Sequence, residues 1–364
     1  MEQEELQVTF DINTIDHLGV KLYSTIPPMI AELVSNAWDA DASNVYINFN
    51  NEGEKTITVS DDGTGMTFAE LNEHFLKVGR NRRVELHKDE IEGGRKVLGK
   101  KGLGKLSMFG IGKKITISTV KSGIKNTFVM DYKQLKACEG SIYKPEIVDY
   151  CVNTDEENGT CFLIEQLSRK SDFDIERLHR NLQSRFHIYS DKFIVHINND
   201  KKYEIHSNDI PEDKCQFLWE FPEDFEEDFD VEIDQFKELF EFGKCKGVRG
   251  KIYTSQTPLN KDVQGIVLFL RGKLVQEHSS FDDRANDNFF QYMSGSFDVD
   301  FIDCNFDVDN CSTDRKSLAW DIDENEELFK LQELLKKIVF IAQKSGGRKE
   351  KRKRKRKFLF MVMT

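Results

Sequence analysis

The sequence contains no apolar run approaching the ~20 residues that a membrane-crossing helix needs. Its first ten residues, MEQEELQVTF, are acidic and lack the basic-then-apolar order of a secretory leader. Membrane spanning and Sec-type secretion are therefore not expected, and a cytoplasmic location is. Seven cysteines stand at 138, 151, 161, 215, 245, 304 and 311. The count is odd, the spacings are wide and no C-x-x-C pair occurs, so neither a zinc site nor a dithiol redox motif is supported. Reduced thiols are expected. No internal repeat is visible.

A positive charge balance is missing from most of the chain. The formal net charge is −12, yet residues 348–357, RKEKRKRKRK, hold nine basic side chains and one Glu, hence +8. The other 354 residues therefore carry −20. A body that acidic will not hold nucleic acid through its average field, so such binding would need a local patch or this tail. What remains is an ordinary globular composition: 38% hydrophobic, 32% charged, with 28 Phe. At ~150 residues per domain, the length of 364 predicts two domains.

Residues 25–42 read as a helix, with Pro27 and Pro28 suited to its first turn. Ile30, Leu33, Val34 and Ala37 form one apolar stripe along it. Val45–Phe49 and Thr56–Ser60 read as a hairpin, followed at once by Asp61-Asp62-Gly63-Thr64-Gly65 and a helix over Thr67–Leu76. Residues 79–105 are rich in Gly, Lys and Arg, a long loop of the kind that is usually functional. Strands are predicted at Lys114–Val120, Asn126–Asp131, Thr160–Gln166 and Phe193–Asn198, with a helix over Phe173–Phe186. A boundary is placed near 205. Beyond it come the acidic, Phe-rich stretch Glu220–Phe242, strands at Gly247–Thr254 and Gly265–Leu270, and a helix over Glu326–Gln343 ended by Gly346-Gly347.

Three constellations carry chemistry. Glu32 and Asn36 are four apart on one helix and share a face. A carboxylate there can polarise a water, and an amide oxygen suits Mg²⁺. Alone they are an ordinary polar pair. Asp61-x-Gly63-x-Gly65 ends a strand, where glycines let backbone approach a flat ligand and a carboxylate can accept from an exocyclic amine. Alone this is a plain D-G turn. Gly99-Lys100-Lys101-Gly102-Leu103-Gly104-Lys105 nearly matches a Walker A loop, but Leu106 stands where Ser or Thr is required. A glycine- and lysine-rich loop opening a helix at Leu106–Phe109 still suits phosphates.

The order of these pieces is more specific than any one of them. AELVSNAWDADAS, DDGTGM, GKKGLGKLS and Gly159-Thr160 opening TCFLIEQL follow one another within about 140 residues. The set resembles the GHKL ATPase superfamily of gyrase-type topoisomerases, Hsp90-type chaperones, histidine kinases and MutL. The resemblance implies an α+β fold, a Bergerat-type α/β sandwich ATPase domain at 1–205 followed by a transducer-like α/β domain at 206–345. Residues 346–364 form a basic tail, read as disordered. It implies ATP and Mg²⁺ as cofactors. Glu32 would be the general base, Asn36 the Mg²⁺ ligand, and Asp39 a supporting residue. Asp61 would receive the adenine amino group with Thr160 assisting, and Asp62 is a weaker candidate. Gly63, Gly65 and Met66 would pass against the base, while Gly99, Lys100, Lys101, Gly102, Leu103, Gly104 and Lys105 form a phosphate lid.

Within the superfamily, no phosphoacceptor helix precedes the first motif, which argues against histidine kinases. GIVLFLRGKLVQ at 265–276 resembles the strand–turn–strand of MutL, gyrase and MORC-type transducers. Arg315 or Lys316, within FDVDNCSTDRKSL, stands where that group places a basic residue at the γ-phosphate. The third motif resembles MORC-type and stand-alone bacterial Hsp90-like ATPases more than MutL. The expected activity is slow Mg²⁺-dependent ATP hydrolysis coupled to lid closure and homodimer or higher-oligomer association, in phage defence or DNA transactions. A non-hydrolysing ATP sensor recruiting a protein partner, and a clamp holding nucleic acid through Arg348–Lys357, are the alternatives.

Overall fold

The computed structural model describes residues 25–78, 95, 97–98, 104–138, 142–185, 193–205, 215–227, 233–281, 288–303, 310–312, 317–320 and 325–362. For 104–105, 226–227, 233–235, 262 and 346–362 it describes the backbone alone. The chain divides into two compact units, residues 1–208 and 209–364.

The first unit lays helices on one face of a seven-stranded sheet. Its strands are β1 (Asn44–Asn50), β2 (Thr56–Asp61), β3 (Gly112–Lys121), β4 (Ile124–Asp131), β5 (Glu146–Asn153), β6 (Gly159–Leu167) and β7 (Ile194–Ile197). Their order is β5-β4-β3-β6-β2-β1-β7, antiparallel except for the parallel pair β1–β7. Helix α1 (Ile26–Asp39) starts with proline in its first turn, and its predicted stripe of Ile30, Leu33, Val34 and Ala37 is buried to 1% exposure or less. That stripe meets Ile47, Ile57, Ile115, Ile117 and Ile164 from the sheet in one core.

Two predicted helices take other forms. Thr67–Leu76 is a three-residue α turn, Phe68–Glu70, running into a π-helix at Leu71–Phe75. The Thr67 side chain accepts from the Glu70 N–H while Glu70 reaches back to the Thr67 N–H, a capping box that starts the turn. Leu106–Phe109 lies in a 3₁₀ helix, Gly104–Gly110, whose Leu106, Met108 and Phe109 are buried against α1. Consecutive buried positions there demand more than one helical stripe, and the tighter 3₁₀ spiral turns them inward.

The second unit is also α/β. Strands β8 (Cys215–Phe221), β9 (Arg249–Ser255), β10 (Gly265–Leu270), β11 (Lys273–Ser279) and β12 (Met293–Asp298) form a sheet ordered β11-β10-β12-β9-β8, with β10 and β12 parallel. The helix Ile233–Cys245 and the C-terminal helix pack together over it, burying Phe236, Phe240, Leu331, Leu334 and Ile338 with Trp219, Phe221 and Phe297. The Phe-rich stretch therefore supplies core. The C-terminal helix spans Glu326–Val362, so Gly346-Gly347 does not end it. Lys and Arg are good helix formers, and a nucleated helix extends with one bond per residue. Among the described residues no helix is long and apolar enough to cross a membrane.

Candidate functional site

The core face of the first sheet carries an unusual row. Asp61 on β2 pairs with Thr160 on β6, Thr160 with Thr119 on β3, and Thr119 with Asn126 on β4. Four polar side chains thus cross four strands at one level. One level deeper, Val59, Phe162, Ile117 and Phe128 repeat the crossing with apolar side chains. Polar groups on a core-facing register cost stability unless bonded or reserved for a ligand. Thr160 is 7% exposed, Thr119 0% and Asn126 1%. The Asn126 side-chain oxygen accepts from the Cys151 N–H at 3.0 Å, while its Nδ2 has no partner among the described residues.

Asp61 ends the row. Its carboxyl accepts from the Gly63 N–H at 3.0 Å and from the Thr160 N–H. Burial raises its pKa to about 6 from 3.8, against the lowering effect of those two amides, and the neighbouring Asp62 charge adds a smaller push upward. Asp62 faces a different task. Its Oδ1 accepts from the Ser43 and Asn44 N–H groups at 2.7 and 2.8 Å, and its Oδ2 from Asn44 Nδ2 at 2.8 Å. Desolvation opposes ionisation, but these donors outweigh it and hold Asp62 below its ordinary value. Asp62 therefore fastens β2 to the turn after α1, and its engaged oxygens argue against a ligand contact.

The glycines are where backbone crowds backbone. A Cβ on Gly63 would lie 2.8 Å from the Ala40 carbonyl oxygen, and one on Gly65 would lie 1.9 Å from that of Val120. Gly65 also has φ +65°, which favours glycine. Thr64 N–H donates to Ala40 O at 2.9 Å, so the DGTG segment is clasped against the end of α1. Met66 N–H donates to Thr119 Oγ1 at 2.9 Å, fixing the segment over the polar row.

Helix α1 adds a polar stripe at i, i+4 and i+7. Glu32 is half-buried, Asn36 exposed and Asp39 buried. The Leu98 N–H donates to Asp39 Oδ1 at 2.7 Å. Arg95 Nη1 donates to Ala42 O at 2.6 Å, and its guanidinium lies 4.7 Å from the Trp38 ring centroid. The segment leading into the glycine–lysine loop is thereby tied to α1. Of that loop, Gly104 and Lys105 open the 3₁₀ helix, while Gly99, Lys100, Lys101, Gly102 and Leu103 lie outside the described residues.

In the second unit, the Arg271-Gly272-Lys273 turn is buried. Arg271 N–H donates to the Asp300 carboxylate, and the guanidinium lies 3.6 Å from the Asp303 carboxylate. Ser312 and Ser317 are bonded through Ser312 N–H and Ser317 O at 2.9 Å. Arg315 and Lys316 lie outside the described residues.

The structure thus brings Asp61, Gly63, Gly65, Met66 and Thr160 together, with Asp39 on the adjoining helix α1 and Leu98 bonded to it. Thr119 and Asn126 escaped sequence reasoning. The signal was available, because they continue the core-facing registers Ile115–Ile117 and Met130–Phe128 with polar residues.

The donor set suits a magnesium nucleotide. Asn36 offers a neutral hard oxygen beside a carboxylate, and hard oxygen is what Mg²⁺ takes. Among the described residues no group of three or more His, Cys, Asp or Glu is placed to hold a metal alone, so phosphate oxygens would fill most of its shell.

Comparison with known proteins agrees with this geometry. Residues 23–159 match the family "Histidine kinase-, DNA gyrase B-, and HSP90-like ATPase". The chain is 28% identical over 332 residues to a "Putative type II restriction enzyme HgiDII" of Herpetosiphon aurantiacus, covering 87% of this chain and 53% of that protein. It is 27% identical over 173 residues to chaperone protein HtpG of Clostridium perfringens, covering 41% of this chain and 28% of the chaperone. HtpG of Shewanella sp. (strain ANA-3) is 29% identical over 145 residues, 34% of this chain and 23% of the chaperone. The chain spans about half the length of the first relative and about a quarter of the chaperones. The matched span holds α1, the D-x-G-x-G turn and the segment leading into the glycine–lysine loop, and over that span the chain is similar to the histidine kinase-, DNA gyrase B- and HSP90-like ATPases, the GHKL group.

Proposed function

We propose that this chain binds MgATP on the polar row and hydrolyses it slowly, using the cycle to close a lid and associate protomers. The observation that carries the reading is Asp61, a carboxylate held by two backbone amides in the core-facing row, where it can accept from an exocyclic amine. Glu32 takes the proton of the attacking water and orients it. The Asn36 amide oxygen would hold Mg²⁺, which when bound neutralises phosphate charge. Lys100, Lys101 and Lys105 of the glycine–lysine loop would supply positive charge to the phosphates. Glu32 distinguishes this reading from a non-hydrolysing sensor, which needs no base.

Calorimetry with MgATP and phosphate release at saturating ATP, on the wild type and Glu32→Ala, test it. The variant is expected to bind ATP with unchanged affinity and to lose at least about 100-fold in phosphate release. Wild-type protein that binds ATP without releasing phosphate, alone or with partners, would instead be a sensor.

The likeness to a protein named as a restriction enzyme favours a DNA transaction as the setting. Nine basic residues along the helical backbone of 348–357 offer the electrostatic handle for it.

A further inference from the structure

Thr119 is a wholly buried hydroxyl with three polar neighbours. The Met66 N–H, 2.9 Å away, can only donate to it. The Gly159 carbonyl oxygen, 3.1 Å away, can only accept. Thr160 Oγ1, 3.2 Å away, can do either. A hydroxyl has one hydrogen and two lone pairs. With one lone pair taken by Met66 and the hydrogen drawn to Gly159, a single lone pair remains, and it faces Thr160. The two hydroxyls bond each other only if the Thr160 hydrogen turns inward to Thr119. The lone pairs of Thr160 are then left facing away from Thr119, on the level of the Asp61 carboxylate beside it.

We infer that Thr119 is a positioning residue that sets the polarity of the Thr160 hydroxyl, so that Thr160 and Asp61 both present acceptors and the site selects a 6-amino purine over a 6-keto purine. The inference rests on the nucleotide-binding reading above. A 6-keto purine presents an oxygen where two acceptors wait, leaving buried polar groups unmatched, and sites built this way discriminate strongly. The ionised state of Asp61 above pH 6 works in the same direction.

The test uses the full chain, with ATP and inosine triphosphate as probes, titrated by calorimetry with Mg²⁺ at pH 7.5. The wild type should prefer ATP by about 100-fold, since the mismatch strands polar groups at two acceptors. Thr119→Val frees the Thr160 hydrogen, and the preference should fall to about tenfold or less, with Asp61 alone discriminating. Thr119→Ser, which keeps the hydroxyl, should restore it. A merely structural role would weaken both nucleotides alike and leave their ratio unchanged, which would overturn the inference. A wild type that binds both triphosphates equally would overturn it without any variant, while one that binds neither would remove the nucleotide reading itself. Thr119→Ala carries the same comparison if the valine variant does not fold.

Discussion

Leu98 and Asp39 are joined by a buried hydrogen bond, the Leu98 N–H donating to Asp39 Oδ1 at 2.7 Å. It fixes the residue just before Gly99 to the helix that carries Glu32 and Asn36. Asp39→Ala would leave that N–H unpaired in a buried place, at a cost of about 1–3 kcal/mol. Thermal unfolding should show a lowered Tm. ATP affinity should fall about tenfold through loss of lid registration, an effect worth about 1.4 kcal/mol. Calorimetry separates the two, because a Tm loss with intact affinity would confine the contact to stability.

Asp61 gives a pH dependence with a definite sign. Its carboxyl titrates at about 6 in the folded chain against 3.8 otherwise. Folding thus favours the protonated form. The associated stability is present below about pH 4 and is lost as pH rises through 6. Two units correspond to at most about 3 kcal/mol, less what solvent access removes. Asp61→Asn should therefore be more stable than wild type at pH 7.5 and equal to it near pH 3.5, while failing to bind ATP. Wild-type ATP affinity should fall as pH drops below 6. Denaturant unfolding and calorimetry across pH 4–8 check both. Asp62, held low by its three donors, contributes with the opposite sign.

Two glycines with similar φ should respond very differently to alanine. Gly65 at +65° has the Val120 carbonyl oxygen 1.9 Å from any added Cβ, whereas Gly53 at +62° has nothing within 4 Å. Gly53→Ala should cost only about 1–2 kcal/mol for its left-handed backbone. Gly65→Ala adds a backbone collision and should cost more than about 4 kcal/mol or prevent folding. Urea unfolding of the pair compares them directly.

If the basic helix serves DNA, binding should weaken steeply with salt. Nine phosphate contacts would give a slope near −8 in log K against log salt. Removing residues 348–357 should abolish the slope while leaving ATP hydrolysis intact. Anisotropy with a labelled duplex at 50–200 mM salt reads this, and a slope unchanged by the deletion would place any DNA contact elsewhere.

Much of the site was legible because its backbone demands are written as residue types. Glycine at 63 and 65 announces close approach, and the stripe of α1 announces its buried face. Less legible were elements whose sequence lacks one wet and one dry face. β5 reads EIVDYCVN, and Ile147, Val148, Tyr150 and Val152 are all exposed, so no alternation marks it. β12 reads MSGSFD and has no β-branched residue; Gly295 is there because a Cβ would lie 2.5 Å from the Lys251 carbonyl oxygen. Thr119 was hidden by its ordinariness, since threonine suits any strand. The register of Ile115 and Ile117 puts it on the core face, and the pairing that sets it beside Thr160 shows what its hydroxyl bonds.

The strand order carries a consequence for synthesis and for fragment design. β2 and β3 are not neighbours; β6 lies between them and pairs with both. Until residue 167 has left the ribosome, the early hairpin β1–β2 and the later one β3–β4 share no ladder, and each keeps an unpaired inner edge. A fragment cut where the family match stops, at residue 159, would lack the strand that joins them. Such a piece would carry the E-x-x-x-N, D-x-G-x-G and glycine–lysine motifs and still lack Thr160 and the strand that completes the polar row. It would offer two sticky strand edges to its neighbours instead.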